Sequence, residues 1–462
     1  MEGKDIEKRV PLPERPVEER IRDFAEVSLG YSKEEAIKEA KRCLGCSRPL
    51  CVEGCPVGVE IPAFIERIKE GDFKGALRKI KEKNLLPSIC GRVCPSEYQC
   101  ESKCVLGRLG SPISIGALER AAADYGEEDE KASNPPKSKS VAVIGSGPAG
   151  LTCAAELARD GIEVVIFEAL HEFGGVLRYG IPSFRLPRKV VDEQIERLKG
   201  MGVRMERNVL VGRTIPFKGL FQKEGFDAVF IAAGAGLPQL LGIEGENLEG
   251  VYSANEFLTR VNLMRADLFP KYSTPIKKGK KVAVIGGGNV AMDSARVALR
   301  LGAEQVYVVY RRTEEEMPAR KVEIAHTKEE GINFLYLLSP IEIRGNEMKE
   351  LVCRKMKLSE EMDESGRRKV FPTDEIISLE ADVIIVAIGQ KPNPLIPSLV
   401  PELQRGKEGE ILVDEEMRTT VEGVWAGGDI ASGAATVILA MGMAKKAAES
   451  IKRYLGVKGG NK

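Results

Sequence analysis

The run VAVIGSGPAG at 141–150 returns almost unchanged as VAVIGGGNVA at 282–291. Each copy is an apolar segment that enters a glycine turn and continues into residues suited to a helix, so a strand–turn–helix unit occurs twice. A second apolar strand follows each unit, EVVIFE ending at Glu168 and QVYVVYR ending at Arg311. Two βαβ units predict an α/β fold with two parallel, helix-covered sheets, and each glycine turn presents backbone N–H groups at a helix start to an anionic ligand. Two separate dinucleotides are therefore expected.

In the first turn Gly145 permits the sharp bend, Gly147 lets a pyrophosphate approach the backbone, and Gly150 allows close packing of helix on strand. Glu168, closing the second strand, is placed to hydrogen-bond a ribose hydroxyl. Gly286, Gly288 and Ala291 hold the same three positions in the second copy. There Arg311, followed by Arg312, stands where the acid was. A guanidinium fork suits a 2′-phosphate that a carboxylate would repel, so NADP(H) is expected, with Arg320 in MPAR as a further contact. The flavin is assigned to the first copy because GVWAGGDIASGAATVILA near the C-terminus supplies Asp429 and a helix start at Ala435–Val437, which can stabilise negative charge on a reduced flavin ring. This segment follows the second βαβ unit, so the chain returns to complete the first domain and the NADP(H) domain is an insertion. The expected boundaries are an α-helical domain over 1–125, a linker over 126–140, FAD-binding parts at 141–275 and 393–462, and the NADP(H) domain at 276–392.

Eight of the ten cysteines lie between 43 and 104, in the runs Cys43-x2-Cys46-x4-Cys51-x3-Cys55-Pro and Cys90-x3-Cys94-Pro-x4-Cys100-x3-Cys104. Cys153 and Cys353 stand alone in apolar segments and are expected to be core residues. No apolar run approaches the roughly 18 residues of a membrane span, and the charged N-terminus lacks a signal-peptide core, so a cytoplasmic protein is expected. Clustered thiols in that setting point to metal rather than disulfides. Short spacings suit iron–sulfur ligation, and the helix-like spacing at 33–42 and 61–83 makes the surrounding domain α-helical. Structural zinc uses paired cysteines too. An adjoining flavin domain gives an electron-transfer cluster a purpose, whereas zinc would only staple a nucleotide-binding sensor or scaffold. Lys+Arg and Asp+Glu both number 69, so charge makes no case for nucleic acid.

With VAVIGSGPAGL, EFGGVLRYGIP, VFIAAGA and AGGDI, residues 141–450 resemble flavoproteins with two dinucleotide-binding domains. Adding the cysteine domain narrows the resemblance to the glutamate synthase small (beta) subunit family. That family also includes the large subunit of NADH-dependent ferredoxin:NADP oxidoreductase, a bifurcating transhydrogenase, and the N-terminal half of dihydropyrimidine dehydrogenase. The resemblance implies FAD bound through Gly147, Glu168, Gly175, Leu177 and Asp429, with Ala149, Gly174, Gly234, Gly428 and Thr436 beside them. It implies NADPH on Asn289, Val290 and Gly389 as well as the glycine turn, delivering hydride to the flavin.

The same resemblance implies one 4Fe–4S cluster on Cys43, Cys46, Cys51 and Cys104, and a second on Cys55, Cys94, Cys100 and Glu119. Cys90 is then a spare thiol. Neither GGVLRYGIP nor the NADP(H) domain contains a CxxC or CxxxxC pair, and no general base or nucleophile suggests substrate chemistry, so the catalytic groups are the cofactors and electrons leave through the cluster domain. The expected function is an NADP(H)-dependent electron-transfer subunit of a bifurcating ferredoxin:NADP oxidoreductase, partnered by a flavin and 2Fe–2S subunit and by ferredoxin. The alternatives are the NADPH-oxidising small subunit of glutamate synthase, with the large subunit as partner, and a stand-alone homomeric relative.

Overall fold

The computed structural model describes residues 8–127 and 139–457, so most of the expected linker at 126–140 lies outside the described residues. Two parallel five-stranded sheets organise the larger part of the chain. In the first, the strands run in the order Val424–Ala426, Ala228–Ile231, Ser140–Ile144, Glu163–Glu168, Arg204–Arg207. Val141 pairs with Val164 on one side and Ala228 on the other, and the β-branched centre of the sheet is buried on both faces. Val424–Ala426 joins Ala228–Ile231 from nearly 200 residues away in sequence, which makes it an edge strand of the first sheet.

The second sheet has the order Val251–Ser253, Val383–Val386, Lys281–Ile285, Gln305–Tyr310, Asn333–Tyr336. Val251–Ser253 falls within 141–275, the stretch expected to belong to the flavin domain, yet it pairs in parallel with Ile384–Val386. The second domain therefore begins before residue 251, not at 276. The chain crosses between the domains at Leu237–Pro238 and returns at Gln390–Lys391, and these two short strands pair with each other. Three long antiparallel strands, Leu338–Gly345, Lys349–Met362 and Arg368–Ala381, precede Val383–Val386 and had no counterpart in the sequence reading. Their inner side chains Ile343, Leu351 and Cys353 pack on Ala283, Ile285 and Val309 of the second sheet.

The cysteine-rich region is helical. Lys33–Ala40 starts in a Ser32/Glu35 capping box, and Phe73–Lys81 starts at Asp72, whose carboxylate accepts from the Gly75 N–H at 2.7 Å. Phe73, Ala76, Leu77 and Ile80 form one buried face that meets Ile61–Lys69 and Ile115–Tyr125. No helix among the described residues is long and apolar enough to cross a membrane.

Candidate functional site

A cavity of about 500 Å³ opens at the carboxyl ends of the first sheet's strands, and Asn289, Val290 and Asp293 of the second domain close one side of it. The helix Pro148–Arg159 begins at Gly147 on its wall with no side-chain cap, leaving its first N–H groups free for an anion. A Cβ on Gly147 would meet no atom within 4 Å, whereas one on Gly150 would lie 1.9 Å from the Gly145 carbonyl oxygen. The first glycine thus leaves room for a ligand and the second for the chain itself. Glu168 accepts from the Ser146 N–H at 2.9 Å and from the Ser146 hydroxyl, and its other oxygen accepts from the Leu170 N–H at 2.9 Å. Ser146 in turn accepts from the Gly174 N–H at 2.9 Å, tying the first glycine turn to Gly174–Gly175.

Gly145, Ala149, Glu168, Gly175, Gly234 and Gly428 all face this cavity. So do Asp429, Ala435, Thr436 and Val437, with Thr436 capping the 18-residue helix Val437–Tyr454. Burial pushes the Asp429 carboxyl up to about 6, and the Ala435 N–H donates to it at 3.3 Å. Gly174 lies behind the wall, against Val191, and Leu177 is 1% exposed in the core, so its side chain packs beneath the site.

In the second domain the helix Asn289–Arg300 starts uncapped at Gly288, and Ala291 is buried against the sheet. A Cβ on Gly286 would lie 2.2 Å from the Ala387 carbonyl oxygen, which excludes any other residue from that turn. Gly389 sits at the interdomain crossing, where its carbonyl accepts from the Gln239 N–H at 3.0 Å. The three arginines part company. Arg311 is exposed at the end of its strand, and among the described residues no carboxylate pairs with it. Arg312 is buried, donating to the Arg368 carbonyl at 2.7 Å and to Asp363 at 2.6 Å. Arg320 pairs with Glu97 of the helical domain at 3.3 Å. Arg312 and Arg320, expected to read a phosphate with Arg311, each have an acidic partner in this structure.

Cys43, Cys46, Cys51 and Cys104 line one small apolar cavity with Ile61, Ile65, Ile113 and Ile115. Burial raises the Cys43 thiol, and takes that of Cys51 up to about 11. Glu119 lies close enough to Cys55, Cys94 and Cys100 to raise all three thiols, and Cys94 acts on Cys55 and Cys100 as well, so these four form a second group. Burial raises Glu119 to about 8, against the Asn84 amide that donates to it at 2.6 Å. Both donor sets, four thiols in one and three thiols with one carboxylate in the other, fit iron–sulfur ligation. Cys90 is fully buried beside the second group, its sulfur 3.5 Å from Met441 Sδ. Cys153 and Cys353 are buried single thiols, so the nucleotide domains hold no dithiol facing the cavity.

Several wall residues escaped the sequence reading. Val93 and Pro95, on either side of Cys94, line the same cavity as Gly175, Tyr179 and Thr436. Arg185 and Asp293 line it too. Asp293 was within reach, since it follows Asn289 by one helical turn and shares its face.

Residues 20–131 match the family model described as dihydropyrimidine dehydrogenase domain II, 4Fe-4S cluster, and residues 139–444 match that described as pyridine nucleotide-disulphide oxidoreductase. The chain is 34% identical to the glutamate synthase [NADPH] small chain of Escherichia coli over 97% of its own length and 98% of that protein's. It is 38% identical to the NADP(+)-dependent formate dehydrogenase subunit beta of Moorella thermoacetica, covering 88% of this chain and 60% of that one. Among solved structures, Mycobacterium tuberculosis FprA in complex with NADPH shares the fold of the nucleotide domains at a TM-score of 0.58 and 23% identity, over 69% of this chain and 85% of that one.

Proposed function

Because the chain belongs to the pyridine nucleotide-disulphide oxidoreductase family and, along nearly its whole length, to the glutamate synthase small-subunit family, we propose that it is an NADP(H)-dependent flavin and iron–sulfur electron-transfer subunit. When bound, FAD and NADP(H) supply hydride chemistry, and two 4Fe–4S clusters supply one-electron transfer. The chain's own residues hold, orient and shield. Gly147 and the helix start behind it receive the flavin pyrophosphate, with Glu168 keeping the turn in shape through Ser146. Gly288 and Asn289 do the same for the nicotinamide nucleotide, and Arg311 reads its 2′-phosphate. Cys43, Cys46, Cys51 and Cys104 hold the outer cluster, and Cys55, Cys94, Cys100 and Glu119 the inner one.

One observation carries this reading: Val93 and Pro95, which flank Cys94, form part of the flavin cavity's wall. The inner cluster's ligand loop and the flavin site therefore share a boundary, with Cys90 and Met441 in contact behind it. The full-length likeness to glutamate synthase small chains supports a glutamate synthase large subunit as partner. A bifurcating ferredoxin:NADP oxidoreductase complex, with a flavin and 2Fe–2S subunit, is the other reading, and it rests on the sequence resemblance. Anaerobic addition of NADPH is expected to bleach the flavin and then produce the EPR signals of reduced clusters, with iron and sulfide near eight per chain. Zinc without sulfide, or bleaching with silent clusters, would overturn the reading. The protein that co-purifies separates the two partners.

A further inference from the structure

The geometry points to Arg185 as the positioning residue that fixes the nicotinamide domain against the flavin wall. This rests on the reading above, in which the two domains hold NADP(H) and FAD. Arg185 lies in IPSFRLP, 181–187, directly after the Gly175–Gly180 wall, and it lines the cavity itself. Across the domain boundary its Nη1 donates to Asp293 at 2.6 Å and its Nε pairs with Glu323 at 2.8 Å. All three side chains are nearly buried, at 7%, 3% and 6% exposure.

The two acids stand on different helices. Asp293 is on Asn289–Arg300, one turn from Asn289, and Glu323 is on Lys321–Glu329. Asn289 joins those helices, because its side-chain oxygen accepts from the Arg320 N–H at 2.9 Å. The Arg185 guanidinium thus reaches both helices that frame the nicotinamide nucleotide site, which Arg296 and Glu323 also tie to each other at 2.6 Å. Among the described residues the other oxygen of Asp293 has no hydrogen-bond partner, so its one side-chain hydrogen bond is the one from Arg185. The guanidinium groups of Arg296 and Arg300 lie over the neighbouring Phe184 ring, at 4.6 and 4.2 Å from its centroid, and the Phe184 carbonyl accepts from the Val27 N–H at 2.9 Å. Because Glu323 also pairs with Arg296, removing the Arg185 cation would leave the buried Asp293 carboxylate without its bonded partner beside a Glu323 still held by Arg296, which loosens the boundary on the Asp293 side. Hydride transfer needs reacting atoms about 3–3.5 Å apart, and a shift near 1 Å costs roughly 100-fold.

The test uses the holoenzyme and its Arg185→Met and Arg185→Lys variants. Three quantities are read: FAD content, NADP+ affinity by calorimetry, and the long-wavelength charge-transfer absorbance of nicotinamide stacked on flavin. Flavin reduction at saturating NADPH is followed by stopped flow. Arg185→Met is expected to keep its FAD and to hold NADP+ within about threefold, while losing the charge-transfer band and slowing flavin reduction roughly 100-fold. Arg185→Lys, which keeps the charge but not the fork, should fall between. An affinity loss as large as the rate loss would make Arg185 a nucleotide contact and overturn the proposal. An unchanged band and rate would overturn it too, reducing Arg185 to a structural ion pair. If Arg185→Met sheds its flavin, Glu323→Gln, which weakens one of the two anchors, must still dim the band and slow reduction at unchanged affinity, or the proposal fails. Wild-type protein that NADPH does not reduce would instead refute the assignment of the two nucleotide sites.

Discussion

Asn84 holds Glu119 in place: its side-chain amide donates to a Glu119 carboxylate oxygen at 2.6 Å, while its own carbonyl oxygen accepts from the Leu86 N–H at 2.9 Å. The same oxygen lies 3.7 Å from the Cys90 sulfur, so Asn84 separates the two candidates for the fourth ligand of the inner cluster and orients the carboxylate. Glu119→Ala is expected to alter the EPR spectrum of one cluster only. Cys90→Ala should leave both spectra and about eight irons per chain. The reverse outcome would make Cys90 the ligand. Asn84→Leu removes the orienting bond, and it should shift the potential of the same cluster without changing the iron count.

Arg311 and Arg312 are adjacent, but Arg311 is exposed whereas Arg312 is buried and paired with Asp363. Arg311→Ala is expected to raise the Kd for NADPH roughly 10- to 100-fold, the value of a charge-assisted contact, and to leave NADH binding nearly unchanged. Arg312→Ala breaks the bonds to Asp363 and the Arg368 carbonyl, so it should loosen the turn between the long antiparallel strands with a smaller effect on NADPH. Titration of both nucleotides against both variants checks this. Equal losses for NADPH and NADH in Arg311→Ala would remove the 2′-phosphate role.

What could be read from sequence was chemistry carried by contiguous residues. The glycine turns, Glu168 and Arg311 each occupy a fixed offset within one βαβ unit, so spacing alone locates them. The fate of Arg312 was hidden because its partner Asp363 comes 51 residues later, on strands with no duplicated or glycine-marked signature. The partners of Arg185 lie at 293 and 323, and only folding brings them to it. Val251–Ser253 is too short for any periodic signal, so the domain boundary was set too late in the chain.

Gly147 and Gly150 look alike in the fingerprint but face different neighbours. Gly147 has φ −70° and ψ −175°, which alanine tolerates, and its Cβ would point into open space. Gly147→Ala is therefore expected to fold with its clusters intact yet lose most of its FAD, because the methyl group occupies the path of the pyrophosphate. At Gly150 the added Cβ would sit 1.9 Å from the Gly145 carbonyl oxygen, so Gly150→Ala should lower soluble yield and thermal stability along with FAD. Flavin absorbance against protein, and a thermal melt, separate the two. Full flavin occupancy in Gly147→Ala would place the pyrophosphate elsewhere.

Three arginines converge on Glu330. Arg296 reaches it at 2.9 Å, Arg300 at 2.7 Å and Arg20, from the N-terminal segment, at 3.2 Å. Burial pushes the carboxyl up, but Arg300 and Arg296 outweigh it and hold the pKa at about 2, against an ordinary 4.5. A depressed carboxylate stabilises the fold fully above its unfolded value and loses that contribution as pH falls through the folded one. The difference corresponds to about 3 kcal/mol. Glu330→Gln at pH 7 should cost at least that much, since it also leaves three buried cations without their shared partner. Hydrogen exchange of the Asn289–Arg300 helix, which carries two of those arginines, reads the effect locally. Its protection should fall in the variant at pH 7, and the gap to wild type should narrow as pH drops from about 4.5 toward 2. A gap that stays constant across that range would mean Glu330 stabilises the helix by packing rather than by its charge.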